Sequence, residues 1–192
     1  MTVKPLNIFL GFDPREGLAF EIARQSIRRF DRFVPIQGLV LSRLQLDGVY
    51  RRPMEWRKSA ADGPIMWDLI SDAPMSTEFA LTRFLLPHLM ERNGLHGWAL
   101  FMDCDVMVRA NLQEMRVLLD DKYAVMCVKH EHRPDNAVKM DGQPQTAYGR
   151  KNWSSVMAIN CDHPANRALT VDVVNEKRGL WLHQFGWLAD EQ

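Results

Sequence analysis

The residues best placed to do chemistry are Asp103-Cys104-Asp105. They follow the near-continuous apolar run Trp98-Ala99-Leu100-Phe101-Met102 and precede a second one, Val106-Met107-Val108. Two ionised carboxylates at the end of a hydrophobic strand are tolerated when a cation or strong hydrogen bonds compensate them. The carboxyl ends of strands are also where open α/β sheets bind ligands. Hard oxygen ligands select Mg²⁺ or Mn²⁺, and such a cation bridges protein carboxylates to substrate phosphates. The plainer alternative is an ordinary strand-to-turn pair, because Asp is common in turns and Asp-x-Asp is a short pattern.

The elements that must position this pair can be read from periodicity and caps. Leu6–Gly11 reads as a buried strand. Asp13 then caps a helix, with Pro14 at its first position and Glu16 at capping-box spacing. Leu18, Ile22, Ala23 and Ile27 line one face of that helix to about Phe30, and Val34–Leu41 reads as a second strand. This β-α-β opening favours a parallel sheet. Residues 42–75 carry turn signals at Asp47-Gly48, Pro53, Asp62-Gly63-Pro64 and Pro74, around an expected short helix at Ile65–Ile70. Ser76 caps an expected helix over Thr77–Arg92, which Pro87 should kink or shorten and Asn93-Gly94 should close. Trp98–Met102 is a central strand covered on both faces. Asn111 caps a short helix to Leu119, Tyr123–Val128 and Ser155–Asn160 are strands, and Ala165–Lys177 is a helix with Gly179 as its stop. The polar stretch Lys129–Gly149 is too long for an idle connection and reads as an acceptor-side or lid loop. Its His130 and His132 are better explained by solvation than by metal.

Composition narrows the function classes. The 192 residues hold 24 Lys+Arg and 24 Asp+Glu, with 46% hydrophobic and 25% charged residues. These proportions are globular, and a domain of this size buries enough surface to fold without disulfides or a structural metal. Zero net charge argues against a general polyanion binder, so nucleic acid is not an expected partner. The charge is uneven, at +5 over 1–60, −5 over 61–125 and 0 over 126–192. Cys104, Cys127 and Cys161 are odd in number and widely spaced, as reduced cytoplasmic thiols would be. Neither a secretory leader nor a run of ~20 apolar residues is visible, so the default location is cytoplasmic. The basic first third leaves a peripheral membrane contact open.

In order and nearly throughout its length, the chain resembles the retaining nucleotide-sugar glycosyltransferases of family 8 and their uncharacterised bacterial relatives. The matching segments are Gly11-Phe12-Asp13 with Arg15, Phe79-Ala80-Leu81-Thr82-Arg83-Phe84-Leu85-Leu86-Pro87, and Leu100–Val108 with Asn111-Leu112. The resemblance implies a GT-A fold, with a Rossmann-like mixed, mostly parallel sheet flanked by helices, in a single domain over 1–192. It also implies transfer from a nucleoside diphosphate sugar, with UDP the favoured nucleotide, to an unknown saccharide, lipid or protein acceptor, with retention of configuration.

By that pattern Gly11, Phe12, Asp13 and Arg15 lie on the nucleobase and ribose, and Arg83 reaches the nucleotide sugar. Asp103 touches the ribose, Cys104 lies between, and Asp103 with Asp105 holds Mn²⁺ or Mg²⁺. Asp13 as a plain helix cap and Arg83 as a solvated helix-face charge are the alternatives. Arg150–Asn160 resembles the family's sugar-flanking segment imperfectly, assigning Asn152, Ser154 and Ser155 to the donor-sugar or acceptor side. Asp190 and Glu191 resemble the acidic segment beside the reacting carbon, where Glu191 stands in place of an amide. The family's later His-containing motif, a third metal ligand, is not in the sequence, which suggests a domain lacking its C-terminal segment. His163 and His183 are the weak substitutes. Rival readings are a non-catalytic nucleotide-sugar or carbohydrate binding module and, less favoured, a haloacid dehalogenase-type phosphohydrolase. A nucleotidyltransferase lacks support because no Gly-rich N-terminal phosphate loop is present.

Overall fold

A computed structural model describes residues 6–58, 64–129 and 152–189. Strand β1 (Asn7–Gly11) leads through a 3₁₀ turn at Pro14–Glu16 into α1 (Gly17–Arg28), and β2 (Ile36–Leu39) follows. After α2 (Leu41–Leu46) come three short strands, β3 (Met54–Lys58), β4 (Pro64–Asp68) and β5 (Ala73–Met75). A 3₁₀ turn at Thr82–Leu85 opens into α3 (Leu86–Arg92), and β6 (Trp98–Met102) crosses the centre. A 3₁₀ segment at Leu112–Leu118 precedes β7 (Val125–Lys129) and β8 (Asn152–Asn160). The described chain ends with a 3₁₀ turn at Pro164–Ala168, α4 (Val171–Glu176) and α5 (Gly179–His183).

The main sheet has the order β2-β1-β6-β8-β7. β1 pairs in parallel with both β2 and β6, while β8 runs antiparallel to both β6 and β7. Four of the five strands therefore point the same way, the mixed, mostly parallel α/β sheet expected from sequence. Successive side chains alternate between its faces. Ile8, Leu10, Leu100, Met102 and Ala158 join Ala23 and Ile27 of α1 in one buried cluster. Phe9, Ala99, Phe101, Met157 and Ile159 join the larger cluster under α2, α3, α4 and α5. Burial on both faces explains why Trp98–Met102 is apolar almost throughout. Among the described residues no helix is long and apolar enough to cross a membrane.

Several expected boundaries are corrected. Residues 64–68 form β4, not a helix; it pairs antiparallel with β3 and β5 in a second, three-stranded sheet. Its Ile-Met-Trp run is too short for periodicity to separate strand from helix. The second strand stops at Leu39, and α2 starts at Leu41. The single helix expected over Thr77–Arg92 is instead a turn, then 3₁₀, and becomes α-helical only at Leu86. Pro87 sits in the first turn of α3, where its missing N–H costs nothing, so it begins a helix instead of breaking one. The helix expected over Ala165–Lys177 is divided where Thr170 caps α4. Gly179 starts α5, and its N–H donates to Ser71 Oγ at 2.7 Å.

Candidate functional site

The carboxyl ends of β1 and β6 lie side by side, with the start of β8 next to β6. Their loops bring Gly11-Phe12-Asp13, Asp103-Cys104-Asp105 and Ser154-Ser155 to one edge of the sheet. The Asp103 N–H donates to the Ser155 carbonyl at 2.8 Å, extending the β6–β8 ladder one step into the loop.

Arg83 sits at the centre of this edge. Its side chain is 5% exposed, which excludes the solvated-charge reading. Nη2 lies 3.0 Å from Asp103 Oδ1, Nη1 donates to the Ser154 carbonyl at 2.6 Å, and Nε donates to the Phe79 carbonyl at 3.3 Å. The guanidinium carbon stands 4.4 Å from the Phe101 ring centroid and 5.6 Å from that of Phe79, a cation–π setting in addition to the ion pair. Arg83 thus ties the loop after β6 to the start of β8.

The Asp103–Arg83 contact is an ion pair by distance but is not aligned as a hydrogen bond, leaving buried Oδ1 without a hydrogen-bond partner. Because Oδ1 has almost no accessible surface, a ligand arriving from solvent would meet Oδ2. Burial pushes the Asp103 carboxyl above its ordinary value, against the pull of the Arg83 guanidinium and the Ser155 hydrogen bond. Asp105 is exposed, two residues along the same loop. Between them Cys104 is buried, and its thiol donates to Glu16 Oε2 at 2.9 Å, so the middle residue of the motif anchors the loop to the start of α1. Burial, reinforced by that carboxylate, pushes the thiol up, so it stays protonated.

Asp13 is fully buried and every acceptor position is taken. Oδ1 accepts Arg15 N–H and Nε, both at 2.9 Å; Oδ2 accepts Arg15 Nη2 at 2.7 Å and the Glu78 N–H at 3.0 Å. Burial alone would raise this carboxyl, but the Arg15 and Glu78 hydrogen bonds outweigh it and hold it below the ordinary value. Asp13 therefore locks the turn after β1 to residues 76–79, a link that Arg15 Nη2 extends to the Ser76 carbonyl at 2.6 Å. Gly11 has a packing reason of its own. A Cβ there would lie 2.5 Å from the Phe79 ring, which closes over the end of β1. Phe12 is half-buried, edge-on to Phe20 at 5.2 Å between centroids.

Of the two candidate histidines, only His183 is on this edge, with Nδ1 3.4 Å from Ser154 Oγ and its ring edge-on to Phe84. His163 caps the 3₁₀ turn after the far end of β8, its Nδ1 accepting the Ala165 N–H. Asn152 opens β8 opposite Lys129. Asp190 and Glu191 lie outside the described residues, as do His130 and His132. Among the described residues, no three His, Cys, Asp or Glu side chains converge to hold a metal ion. Sequence reading missed Glu16 as the partner of Cys104 and Phe79 as the lid over Gly11. Only the invariable need for a small residue beside a large ring could have hinted at the second.

Known structures settle the architecture. WbbM, a bifunctional glycosyltransferase, superposes with a TM-score of 0.51 at 15% identity, over 89% of this chain and 34% of its own. GlyE of Streptococcus pneumoniae TIGR4, also a glycosyltransferase, superposes at 0.50 and 13% identity, over 98% of this chain and 41% of its own. The fold is a glycosyltransferase fold. In sequence, the chain is 43% identical over 190 residues to Protein CDI of Arabidopsis thaliana, spanning 98% of this chain and 66% of the plant protein's length. No family model matches the chain. Within this glycosyltransferase fold, the edge built by Arg83, Asp103, Asp105 and Ser154 is the candidate site.

Proposed function

We propose that the chain is a glycosyltransferase that takes a nucleoside diphosphate sugar, with UDP as the nucleotide, and transfers the sugar to a saccharide, lipid or protein acceptor with retention of configuration. The observation that carries this reading is the Arg83-anchored Asp103-Cys104-Asp105 loop at the carboxyl edge of a glycosyltransferase-type sheet.

The donor set fits Mn²⁺ or Mg²⁺. Exposed Asp105 and the outer oxygen of Asp103 offer two hard ligands, and these cations commonly complete their shell with water and substrate phosphate oxygens. Bound there, the cation would neutralise charge developing on the leaving diphosphate. The chain's own residues do the rest. Arg83 compensates Asp103 and fixes its orientation, Cys104 and Glu16 hold the loop down, and Asp13 with Arg15 shapes the floor of the nucleoside side. Ser154, Ser155 and His183 line the β8 side, where the sugar and acceptor would meet. Asp190 and Glu191 keep their proposed place near the anomeric carbon.

Calorimetry with UDP-glucose and UDP-galactose, with and without Mn²⁺, tests the proposal. Metal-dependent binding that Asp105→Ala abolishes is expected. Absence of binding in both conditions, or binding indifferent to that substitution, would sink it. Binding without transfer to any acceptor, or to water, would point to the binding-module alternative.

A further inference from the structure

At the end of β6 away from the Asp103 loop, the molecule holds a cavity of about 490 Å³, within the roughly 300–1,000 Å³ typical of small-molecule sites. Trp98 opens β6 and pairs in register with Asn160, the last residue of β8, so both side chains leave the same face of the sheet. The strand from Trp98 to Asp103 spans about 16 Å, which separates this cavity from the candidate transfer site. The Leu112–Leu118 segment forms a second wall and contributes Arg116. Gln113 fastens that segment to the residue before β1, its Nε2 donating to the Leu6 carbonyl at 3.3 Å and its Oε1 accepting the Leu6 N–H at 3.0 Å. Asp121, ahead of β7, and Asp162 and His163, in the turn after β8, complete the polar lining.

The hydrogen-bonding capacity of this lining is only half used. Asn160 is 5% exposed, and its side chain makes one hydrogen bond among the described residues, from Nδ2 to the Asp121 carbonyl at 3.4 Å, which leaves Oδ1 to the cavity. An acceptor on so buried a residue is ordinarily matched. The Arg116 guanidinium has neither an ion pair nor a hydrogen bond among the described residues. His163 Nδ1 accepts the Ala165 N–H at 3.2 Å, which leaves the ring proton on Nε2 as a further donor. Asp121 Oδ1 accepts Trp98 Nε1–H at 2.7 Å, while the Asp162 oxygens meet His96 Nδ1 at 3.2 Å and the Gly97 N–H at 2.9 Å. Each carboxylate keeps lone pairs for another donor.

Charge decides against an anionic ligand. Arg116 faces two carboxylates, Asp121 and Asp162, and neighbouring Lys122 is paired with Asp120 at 2.9 Å. A hydroxyl both donates and accepts, so a neutral polyhydroxyl ligand can use the free acceptors and the free donors together, against an indole fixed by its own N–H. We infer that this cavity is a saccharide-binding site, with Asn160 Oδ1 and Asp121 accepting sugar hydroxyls and Arg116 and His163 donating to them. The inference rests on the cavity alone and stands whether or not the chain transfers sugar. If it does, the two sites take sugar at opposite ends of β6.

The test is a saturation-transfer NMR titration of the full chain with glucose, galactose, N-acetylglucosamine, cellobiose and lactose, in the absence of nucleotide and metal. Binding of at least one of these sugars is expected, unchanged by excess UDP with Mn²⁺ and unchanged in Asp105→Ala. Arg116→Ala and Asp121→Asn should each weaken it about tenfold, as the loss of a charge-assisted hydrogen bond does. Both variants should melt like the parent chain, because Arg116 has no partner to lose and Asn keeps an acceptor for Trp98 Nε1. Failure of every sugar to bind, or Arg116→Ala and Asp121→Asn binding like the parent, would overturn the inference. Sugar binding lost on adding UDP with Mn²⁺ or in Asp105→Ala would also overturn it, by placing the sugar at the Asp103 loop. So would displacement of the sugar by glycine or inorganic phosphate, since the cavity would then serve a charged ligand.

Discussion

Arg83 and Asp105 sit in the same edge yet should respond to substitution in opposite ways. Arg83 is buried, compensates Asp103 and holds the Ser154 carbonyl. Removing it leaves half-buried Asp103 without its guanidinium and the Ser154 carbonyl without its donor, so Arg83→Met should cost about 1–3 kcal/mol in denaturant unfolding. Arg83→Lys should recover only part, because a point charge cannot serve Asp103, Ser154 and Phe79 together. Asp105 is exposed. Asp105→Asn should therefore change stability by no more than about 0.5 kcal/mol, while removing metal-dependent UDP-sugar binding in the same calorimetric assay. A large loss of stability in Asp105→Asn would show that the carboxylate is structural, contrary to its assigned role.

Between elements, what could be read from sequence divides along a physical line. Trp98–Met102 and the β-α-β opening were legible because burial on both faces of a strand and a capped turn each leave a local pattern, whereas the helix face read from Leu18, Ile22, Ala23 and Ile27 was not, since Ala23 and Ile27 are buried against the sheet and Leu18 and Ile22 are exposed. The second sheet was not legible. β3 and β5 are stabilised by pairing with β4, as in Trp56 opposite Met66, and no local pattern encodes a partner ten residues away. The role of Asp13 was half legible, since its cap lies in sequence while the Glu78 N–H that fills its last acceptor position comes from 65 residues on. The Gly11–Phe79 contact joins the end of β1 to the turn before Arg83 in the same non-local way. Gly11→Ala should destabilise by about 1–3 kcal/mol through overpacking. Phe79→Leu should relieve part of that cost, and a double-mutant cycle in thermal unfolding should show coupling between the two positions. Additive effects would mean that the ring moves aside freely and does not fix the end of β1.

Across the whole molecule, the second sheet is joined to the C-terminal helices by one buried ion-pair network. Arg52 binds both oxygens of Asp68 and donates to the Val174 and Lys177 carbonyls at 2.6 and 2.7 Å, while Asp68 also accepts the Ser71 N–H at 2.9 Å. Burial alone would raise the Asp68 carboxyl, but the hydrogen bonds from Arg52 and Ser71 outweigh it and hold it below its ordinary value of 3.8. Asp13 is depressed as well, while burial raises Asp103 and Glu78. The signs differ, and so does the consequence for stability. A depressed carboxyl stabilises the fold above its ordinary value and loses that contribution as pH falls through the folded value. A raised one costs stability at neutral pH, a cost relieved as pH falls through its higher folded value. Lowering the pH from neutral toward the ordinary carboxylate range should therefore leave Tm level or slightly higher as Glu78 and Asp103 take up protons. Below 3.8, Tm should fall steeply as Asp68 and Asp13 protonate and Arg52 loses its partner. Asp68→Asn should lower Tm at neutral pH and flatten the acid limb of the Tm-against-pH curve. An acid limb as steep in Asp68→Asn as in the parent chain would place the acid-sensitive contact elsewhere.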